Sequence, residues 1–326
     1  MNILVTGGSG FIGSHLVERL LERGDDVYVI DDLSTGSLDN LREARRNPRL
    51  HLALDTILNY KLIDDTIAKC DQVVHLAAVV GVKKVLDEPV NTITTNVRGS
   101  EIVLECCDRH RVPLFVASTS EIYGKAGERL SEDHDRVMGS TANRRWAYAC
   151  TKTMDEFLAL AYHQERELPV IVGRMFNVVG PRQTGQWGMV LPTFVSKALA
   201  GEPIRVFGDG QQRRCFLHVD DMVSALLLLL GNDAAWGRVF NIGVEDEITI
   251  LDLAHRVRER TGADVPIELI PYQEAYGSGF EDMERRQPDT TRIRTLTGWS
   301  PSFTLDEIID ASMRYLSERD AGTPAR

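Results

Sequence analysis

Short apolar runs alternate with longer amphipathic stretches through the first half of the chain. The apolar runs predict buried strands at residues 3–5, 27–30, 73–76 and 114–117. Apolar residues at helical spacing predict helices between them, for example over residues 99–109. Strands that alternate with helices are typical of a parallel sheet covered on both faces. We therefore expect an α/β protein built on a doubly wound, Rossmann-type parallel sheet.

The pattern changes after Phe176. Glycine and proline residues divide the remaining sequence into shorter elements, which is typical of a smaller, mixed α/β domain. One further apolar run, at residues 239–243, predicts a strand that returns to the main sheet. The sequence therefore predicts a Rossmann domain over residues 1–176, completed by that strand, and a substrate domain over residues 177–326.

Composition narrows the class of protein. The 326 residues are 43% hydrophobic and 26% charged, which is ordinary for a globular protein and excludes a disordered chain. A net charge of −11 argues against a nucleic-acid partner. Five cysteines without a CxxC pair disfavour a disulfide framework and a zinc site, so no metal is expected. Without a leader-like start or a long apolar run, we expect a cytoplasmic protein without membrane contact.

A glycine-rich turn follows the first predicted strand. Gly7, Gly10 and Gly13 would let backbone N–H groups approach a pyrophosphate at the N-terminus of the next helix. Asp31 ends the second strand at the spacing expected for a carboxylate that binds the adenosine ribose hydroxyls. Because that carboxylate repels a 2′-phosphate, and the next basic residue is Arg42, the sequence favours NAD over NADP.

Two residues near strand ends give weaker signals. Asp55 fits either a contact to the adenine or a solvated loop acid. His75 precedes small residues that permit close approach of the cofactor, and we interpret it as a structural histidine. We interpret Cys150 and Cys215 as packing residues.

Tyr148 and Lys152 stand four positions apart, on one face of a helix that is predicted to run to Glu167. The tyrosine hydroxyl has an ordinary pKa of about 10, but a nearby ammonium group and a positively charged nicotinamide would favour its phenolate. Tyr148 is therefore a candidate base that removes a proton from a substrate alcohol, with NAD as the hydride acceptor.

A polar triplet follows the predicted strand at residues 114–117. The hydroxyl groups of Thr119 and Ser120 suit a substrate hydroxyl, and Glu121 supplies a carboxyl group. Open α/β sheets place their chemistry at such strand ends. For Glu121, the alternative is a solvated loop acid.

Together these motifs resemble the extended short-chain dehydrogenases/reductases of the NAD-dependent sugar-nucleotide epimerase/dehydratase group. The resemblance extends over essentially the whole chain and includes the segments at residues 176–182 and 208–216. Within that group, the chain most resembles UDP-glucuronate decarboxylases, which include the UDP-xylose synthases and the decarboxylase domain of a bifunctional lipid A-modification enzyme that makes a UDP-4-keto-pentose. Residues 143–148, 212–216 and 279–288 are most similar to the latter type.

The resemblance implies NAD-dependent decarboxylation of UDP-glucuronate. Oxidation of the 4-hydroxyl, with Tyr148 as base, would make a ketone β to the carboxylate, and carbon dioxide would then leave. Thr119 would steady the oxygen at carbon 4, while Ser120 and Glu121 would manage protonation at carbon 5. Arg286 would act on the carboxylate, the carbon dioxide or the diphosphate. The sequence leaves open whether the ketone is released or reduced to UDP-xylose.

The resemblance also implies the residues that contact each ligand. The catalytic residues are Thr119, Ser120, Glu121, Tyr148, Lys152 and Arg286. The cofactor contacts are Gly7, Gly10, Phe11, Ile12, Gly13, Asp31, Asp32, Asp55, Thr56, Leu76, Ala77, Ala78, Asn96, Tyr148 and Lys152. The substrate contacts are Arg145, Asn177, Arg182, Val190, Phe207, Arg214 and Arg286. Among these, Asn177 and Arg214 would hold the diphosphate, and Phe207 would stack on uracil.

Several alternatives stay open. Arg145 and Arg214 also fit ordinary surface charges, and Phe207 also fits the core. A UDP-sugar 4-epimerase would not need the carboxyl group of Glu121. A 4,6-dehydratase of the GDP-mannose type shares the Thr-Ser-Glu triplet, but the rest of its downstream pattern is missing here. A non-catalytic NAD-binding sensor would keep the fold, although the Tyr148 and Lys152 pair is intact.

The resemblance further implies a homodimer that pairs through two long helices.

Overall fold

The structure, a computed structural model, describes residues 1–127, 129–185, 189–276 and 283–321. Its strands are β1 (Asn2–Thr6), β2 (Asp26–Asp31), β3 (Leu50–Leu54), β4 (Gln72–His75), β5 (Leu114–Thr119), β6 (Arg129–Leu130), β7 (Val170–Met175), β8 (Val178–Val179), β9 (Ile204–Phe207), β10 (Arg213–Arg214), β11 (Leu217–His218), β12 (Arg238–Ile242), β13 (Ile248–Thr249), β14 (Ile267–Ile270) and β15 (Arg285–Pro288). Its helices are α1 (Phe11–Glu22), α2 (Tyr60–Ile67), α3 (Val82–Asp87), α4 (Pro89–His110), α5 (Trp146–Arg166), α6 (Val190–Leu199), α7 (Val219–Leu230), α8 (Ile250–Thr261), α9 (Tyr272–Tyr276), α10 (Thr291–Thr297) and α11 (Leu305–Ala321).

Seven parallel strands form the central sheet, in the order β12-β7-β5-β4-β1-β2-β3. The strand order reverses between β1 and β4, and such a switch point opens a crevice at the carboxyl ends of the strands. The predicted doubly wound parallel sheet is therefore confirmed. The chain returns to this sheet at β12, where residues 239–243 were predicted to do so.

Helices cover both faces of the sheet. On one face, Leu16 of α1 and Leu226 of α7 are fully buried against the strands. On the other face, Ile63 of α2 and Val103 of α4 are fully buried in a second core. The helix predicted over residues 99–109 is the second half of α4, which begins at Pro89, where a residue without an N–H group is tolerated.

A smaller mixed region follows the main sheet. It contains a four-stranded sheet in the order β13-β10-β15-β6, with one antiparallel pair, and a third core beneath α6, α8 and α11. The chain passes between the two regions more than once, because β6 precedes residue 176 and α7 packs against α1. The predicted division at residue 176 stays a prediction.

The structure tests the interpretation of Cys150 and Cys215 as packing residues. Cys215 is buried, as predicted, but Cys150 is exposed on α5, so the interpretation of Cys150 as a packing residue is wrong. The helical repeat turns position 150 outward together with Met154 and Phe157, which are also exposed.

In the part of the chain that the structure describes, no helix has the length and apolar character needed to span a membrane.

A buried ion pair joins α5 to β7. The Arg174 guanidinium donates to both carboxylate oxygens of Glu156, with its Nη2 atom 2.8 Å from Oε2 and its Nε atom 3.0 Å from Oε1. The same carboxylate accepts a hydrogen bond of 2.5 Å from the Ser118 hydroxyl at the end of β5. Arg174 also donates to the Tyr123 hydroxyl at 2.8 Å. One charge pair therefore fixes a helix against two strands of the main sheet.

Substituting Arg174→Met should lower the free energy of unfolding by about 3–5 kcal/mol, because it leaves the buried Glu156 carboxylate without its main counter-charge. Chemical denaturation measures the change. Arg256→Met is the matched control, since Arg256 forms an exposed ion pair with Asp306 and its loss should change stability little. Equal effects of the two substitutions would contradict the assignment.

Candidate active site

One cavity of about 1830 Å³ opens at the carboxyl ends of the central strands. Pockets for single small molecules measure roughly 300–1,000 Å³, so this cavity has room for a dinucleotide and a second nucleotide-sized ligand. The predicted site residues that line it are Gly7, Gly10, Phe11, Ile12, Gly13, Asp31, Asp32, Asp55, Leu76, Ala77, Ala78, Thr119, Ser120, Glu121, Arg145, Tyr148, Lys152, Asn177, Arg182, Val190, Phe207, Arg214 and Arg286.

The glycine-rich turn lies at the switch point and has no space for side chains. A Cβ atom at Gly13 would lie 2.1 Å from the carbonyl oxygen of Gly7, and one at Gly7 would lie 2.9 Å from the backbone nitrogen of Ala77. Gly7 also has a φ of +73°. The first turn of α1 follows directly, and a helix N-terminus favours an anion. This cradle fits the pyrophosphate of a dinucleotide.

Asp31 is the last residue of β2 and lies beside the glycine-rich turn. Its Oδ2 atom accepts a hydrogen bond from the Ser9 N–H at 2.9 Å, and its Oδ1 atom accepts one from the Leu33 N–H at 2.8 Å. Burial raises the pKa of this carboxyl group, whereas the two N–H donors act in the opposite direction. The carboxylate is thereby fixed beside the glycine turn, where it fits the adenosine ribose of NAD.

Three residues that were predicted to contact the cofactor, namely Asp55, Thr56 and Asn96, form hydrogen bonds with other groups of the protein. Asp55 lines the cavity, and its carboxylate accepts hydrogen bonds from the Thr56 N–H at 2.7 Å and the Asn59 amide at 2.8 Å. Asn96 is buried, and its side chain accepts a hydrogen bond of 2.7 Å from the Val79 N–H. Asn96 therefore shapes the loop after β4, and the cofactor contacts of Asp55, Thr56 and Asn96 stay predictions.

His75 occupies a structural position at the end of β4, as we interpreted it. Its Nδ1 atom lies 2.8 Å from the Thr6 hydroxyl, and its Nε2 atom lies 3.2 Å from the Ser100 hydroxyl. Burial, assisted by the charge of Lys152, lowers the pKa of His75 to about 3. The imidazole is therefore neutral and ties β1, β4 and α4 together.

The first two turns of α5 carry Tyr148 and Lys152, and this helix ends one residue before the predicted Glu167. Burial raises the pKa of Tyr148, as do the charges of Glu121 and Asp155, while a hydrogen bond with Thr119 acts in the opposite direction. Without a bound ligand, the phenol is thus held in its protonated form. A positive charge placed beside the phenol would favour the phenolate.

Sequence analysis missed a partner of Lys152. The Lys152 ammonium group donates a hydrogen bond of 2.8 Å to the Asp155 carboxylate. The spacing of three residues on one helix could have indicated this pair. Such spacings are common on exposed helix faces, and the sequence does not reveal that this pair is buried.

Glu121 lies between two arginines from distant segments. Its Oε1 atom accepts a hydrogen bond of 2.5 Å from Arg286, and its Oε2 atom lies 3.4 Å from the Nη1 atom of Arg145. The Ser120 hydroxyl lies 3.5 Å from Arg286. Glu121 is partly and Arg145 almost fully buried, so neither is the exposed surface charge that the sequence left open. The fold therefore assembles the polar triplet with both arginines.

Strained backbone marks two further residues that line the cavity. Asn177 has a φ of +38° and Arg182 a φ of +71°, and such positions in residues other than glycine concentrate at functional sites. The Nη2 atom of Arg182 donates to both carboxylate oxygens of Glu18, at 2.7 and 2.8 Å, and the sequence did not indicate this ion pair. Arg214 is buried rather than on the surface, and Phe207 is partly buried at the cavity wall. Their ligand contacts stay predictions.

In the segment at residues 279–288, positions 279–282 lie outside the described residues, and Arg286 lies within them. Among the residues that the structure describes, no group of three or more His, Cys, Asp or Glu side chains is arranged to hold a metal ion.

Comparison with known proteins gives close relatives over the full length. The chain is 35% identical to the UDP-N-acetyl-alpha-D-glucosaminuronate decarboxylase of Bacillus cytotoxicus, over 97% of both chains. It is 34% identical to UDP-glucuronic acid decarboxylase 1 of Arabidopsis thaliana, over 98% of this chain and 71% of the relative. The structure of UDP-glucuronic acid 4-epimerase from Bacillus cereus, with UDP-glucuronic acid and NAD, superposes with a TM-score of 0.88. That structure is 28% identical and covers 98% of this chain and 100% of its own.

The family assignment follows from these matches. The model of the NAD dependent epimerase/dehydratase family matches residues 3–243, which include the glycine turn, Asp31, the polar triplet and the Tyr148 and Lys152 pair. The predicted family and the predicted cofactor are confirmed. The chain belongs to the NAD dependent epimerase/dehydratase family, and its cofactor is NAD.

Proposed function

We propose that the protein catalyses the NAD-dependent decarboxylation of UDP-glucuronate. The observation that carries this proposal is the Glu121 carboxylate between Arg145 and Arg286, in the same cavity as Tyr148. Oxidation and reduction at carbon 4 need only a base and the cofactor, whereas a decarboxylase must also bind the substrate carboxylate and return a proton to carbon 5, and these charged groups suit both tasks. The decarboxylase names of the first relatives support the same reading.

The proposed mechanism assigns a separate task to each side chain. NAD, when bound, accepts a hydride from carbon 4 and can return it. The Tyr148 phenolate takes the proton of the 4-hydroxyl, and Thr119 holds that oxygen. The bond from carbon 5 to the carboxylate then breaks, carbon dioxide leaves, and the 4-ketone takes the electron pair as an enolate. Carbon 5 then needs a proton, and the Glu121 carboxylate, with Ser120, takes one from solvent and passes it to carbon 5.

The two arginines position the anionic parts of the substrate. Arg145 and Arg286 place two guanidinium groups beside one carboxylate, so they retain attraction for the substrate carboxylate. Arg214, which is buried in the cavity wall, suits the diphosphate. The cytoplasmic location predicted from the sequence stays a prediction.

UDP-N-acetylglucosaminuronate is a second candidate substrate. The Bacillus cytotoxicus relative carries that substrate in its name, and the match covers 97% of both chains. The two sugars differ in the substituent at carbon 2, so the chemistry at carbons 4 and 5 is the same. A UDP-glucuronate 4-epimerase, the activity in the name of the Bacillus cereus structure, is the alternative reaction.

A homodimer through α4 and α5 belongs to the same proposal. The two helices pack side by side, and each presents large apolar side chains to solvent. Val90 is 77% and Phe157 62% exposed, with Ile93 and Met154 near one half. Several exposed apolar residues of this size on two packed helices are unusual on a monomer, and a second copy of the same two helices would cover them.

Incubation with NAD and either UDP-uronate should release carbon dioxide and give a UDP-pentose. Proton NMR of the sugar and absorbance of the cofactor follow the reaction. NADH that accumulates with the product would indicate release of the 4-ketone, and an unchanged cofactor signal would indicate UDP-xylose or its 2-acetamido counterpart. Formation of UDP-galacturonate without loss of carbon dioxide would show a 4-epimerase instead.

Substituting Glu121→Gln should reduce carbon dioxide release by about 100-fold while NAD binding is retained, because a proton-transfer group is lost without removal of the cofactor site. Glu259→Gln, at an exposed position on α8, is the matched control. Turnover near that of the unchanged protein would remove Glu121 from the mechanism.

Addition of NAD should lower the pH at which Tyr148 ionises. Its pKa lies above the ordinary value in the free protein, and a positive nicotinamide beside the phenol favours the charged form. Tyrosinate absorbance against pH, with the Tyr148→Phe protein subtracted, measures the midpoint. The same midpoint with and without NAD would contradict this electrostatic coupling.

Substituting Phe157→Glu should convert the dimer to a monomer, because it places a charge within the proposed apolar interface. Light scattering after size exclusion measures the mass. Leu228→Glu is the control, since Leu228 is 45% exposed on α7. A monomeric unsubstituted protein would exclude the dimer.

A further inference from the structure

The pairing of Lys152 with Asp155 is the best-defined charge contact beside the proposed base. The two side chains are 3% and 1% exposed, and the atoms Nζ and Oδ2 are 2.8 Å apart. Removal of both charges from water is costly, and a close contact between them offsets that cost. A salt bridge at this depth differs from the exposed pairs on other helices, which contribute little to stability.

Charged and titratable groups on several elements lie near Tyr148 and Lys152. Asp155 lies on α5 itself, Glu121 lies on the turn after β5, and His75 lies on β4. Arg145 and Arg286 stand beyond Glu121 and contact its carboxylate. His75 is neutral, so Asp155 and Glu121 are the negative charges that act on Tyr148.

We propose that Asp155 is a positioning residue that holds the Lys152 ammonium group at the cavity wall and offsets part of its charge. This inference rests on the proposed role of Tyr148 as the base. Lys152 favours the phenolate through its positive charge, and the Asp155 carboxylate at 2.8 Å opposes that effect. Tyr148 is therefore protonated until the bound cofactor adds a second positive charge, so that proton removal depends on the presence of NAD.

The two parts of this role are separable by substitution. Asp155→Asn keeps an oxygen that accepts the hydrogen bond from Lys152 and removes the negative charge. Asp155→Ser is smaller, also keeps an acceptor and also removes the charge, so the outcome does not depend on the folding of one variant. Asp221→Asn is the matched control, because Asp221 is a buried carboxylate that accepts hydrogen bonds from Ser302 away from the cavity.

The test is the tyrosinate titration of the full-length, NAD-bound protein without substrate, with Tyr148→Phe subtracted in each background. Asp155→Asn and Asp155→Ser should each lower the Tyr148 midpoint by about one pH unit, because a negative charge near the phenol is removed. Asp221→Asn should leave the midpoint unchanged. A purely structural role for Asp155 would lower the melting temperature without moving the midpoint.

An unchanged or raised midpoint in a folded, NAD-binding Asp155 variant would overturn the proposal. Turnover of UDP-glucuronate is measured separately, and the acid side of its pH profile should move to lower pH in both Asp155 variants. Because the titration needs no substrate, its result stands even if the unsubstituted protein acts on neither UDP-uronate. Failure of this inference and failure of the proposed function are therefore distinguishable.

Discussion

The arrangement of the site depends on the buried ion pair between Arg174 and Glu156. Each charge is removed from water, so each needs the other to offset its lost hydration. Because Ser118 bonds to the same carboxylate, α5 is fixed against β5 as well as β7. Two turns before Glu156 the helix carries Tyr148, and one residue after Ser118 the strand presents Thr119. The buried pair thereby sets the relative position of the proposed base and the hydroxyl group that holds the substrate oxygen.

The second constraint is local charge in a protein whose net charge is −11. A UDP-uronate carries a diphosphate and a carboxylate, so its site must be locally positive. Arg145 and Arg286 contact one carboxylate, that of Glu121, and this trio retains one positive charge. A substrate carboxylate would bring the group to neutrality. Glu121 thus reduces the attraction of the arginines without removing it, and a negative group stays near the carbon that must receive a proton.

The sequence predicts those features that depend on residues close together in the chain. The glycine turn, Asp31 at the end of a strand and the four-residue spacing of Tyr148 and Lys152 are local patterns, and the fold places all of them in one cavity. Contacts between distant residues were not predictable in this way. Arg182 meets Glu18 across 164 positions, because the sheet topology brings them together.

Burial is the other property that local patterns do not determine. Cysteine is a residue type that is often buried, yet Cys150 lies on a face of α5 that points to solvent. Arginine is usually a surface residue, yet Arg145 is buried in the cavity wall against Glu121. For Cys150 the outcome depends on which face of α5 meets the sheet, and for Arg145, which immediately precedes α5, it depends on how the start of this helix is placed against the turn after β5. That choice is made by the whole set of core contacts rather than by the residue itself.

Asp155 and Glu156 show how α5 combines a structural and a chemical task. Consecutive positions on a helix point about 100° apart, so these two carboxylates cannot serve the same partner. Asp155 meets Lys152 within the helix, and Glu156 meets Arg174 on the sheet. Rotation of α5 would break the short, buried contact between Glu156 and Arg174, whereas the contact between Asp155 and Lys152 would turn with the helix. The orientation of Lys152 toward the cavity is therefore fixed by the packing of the core.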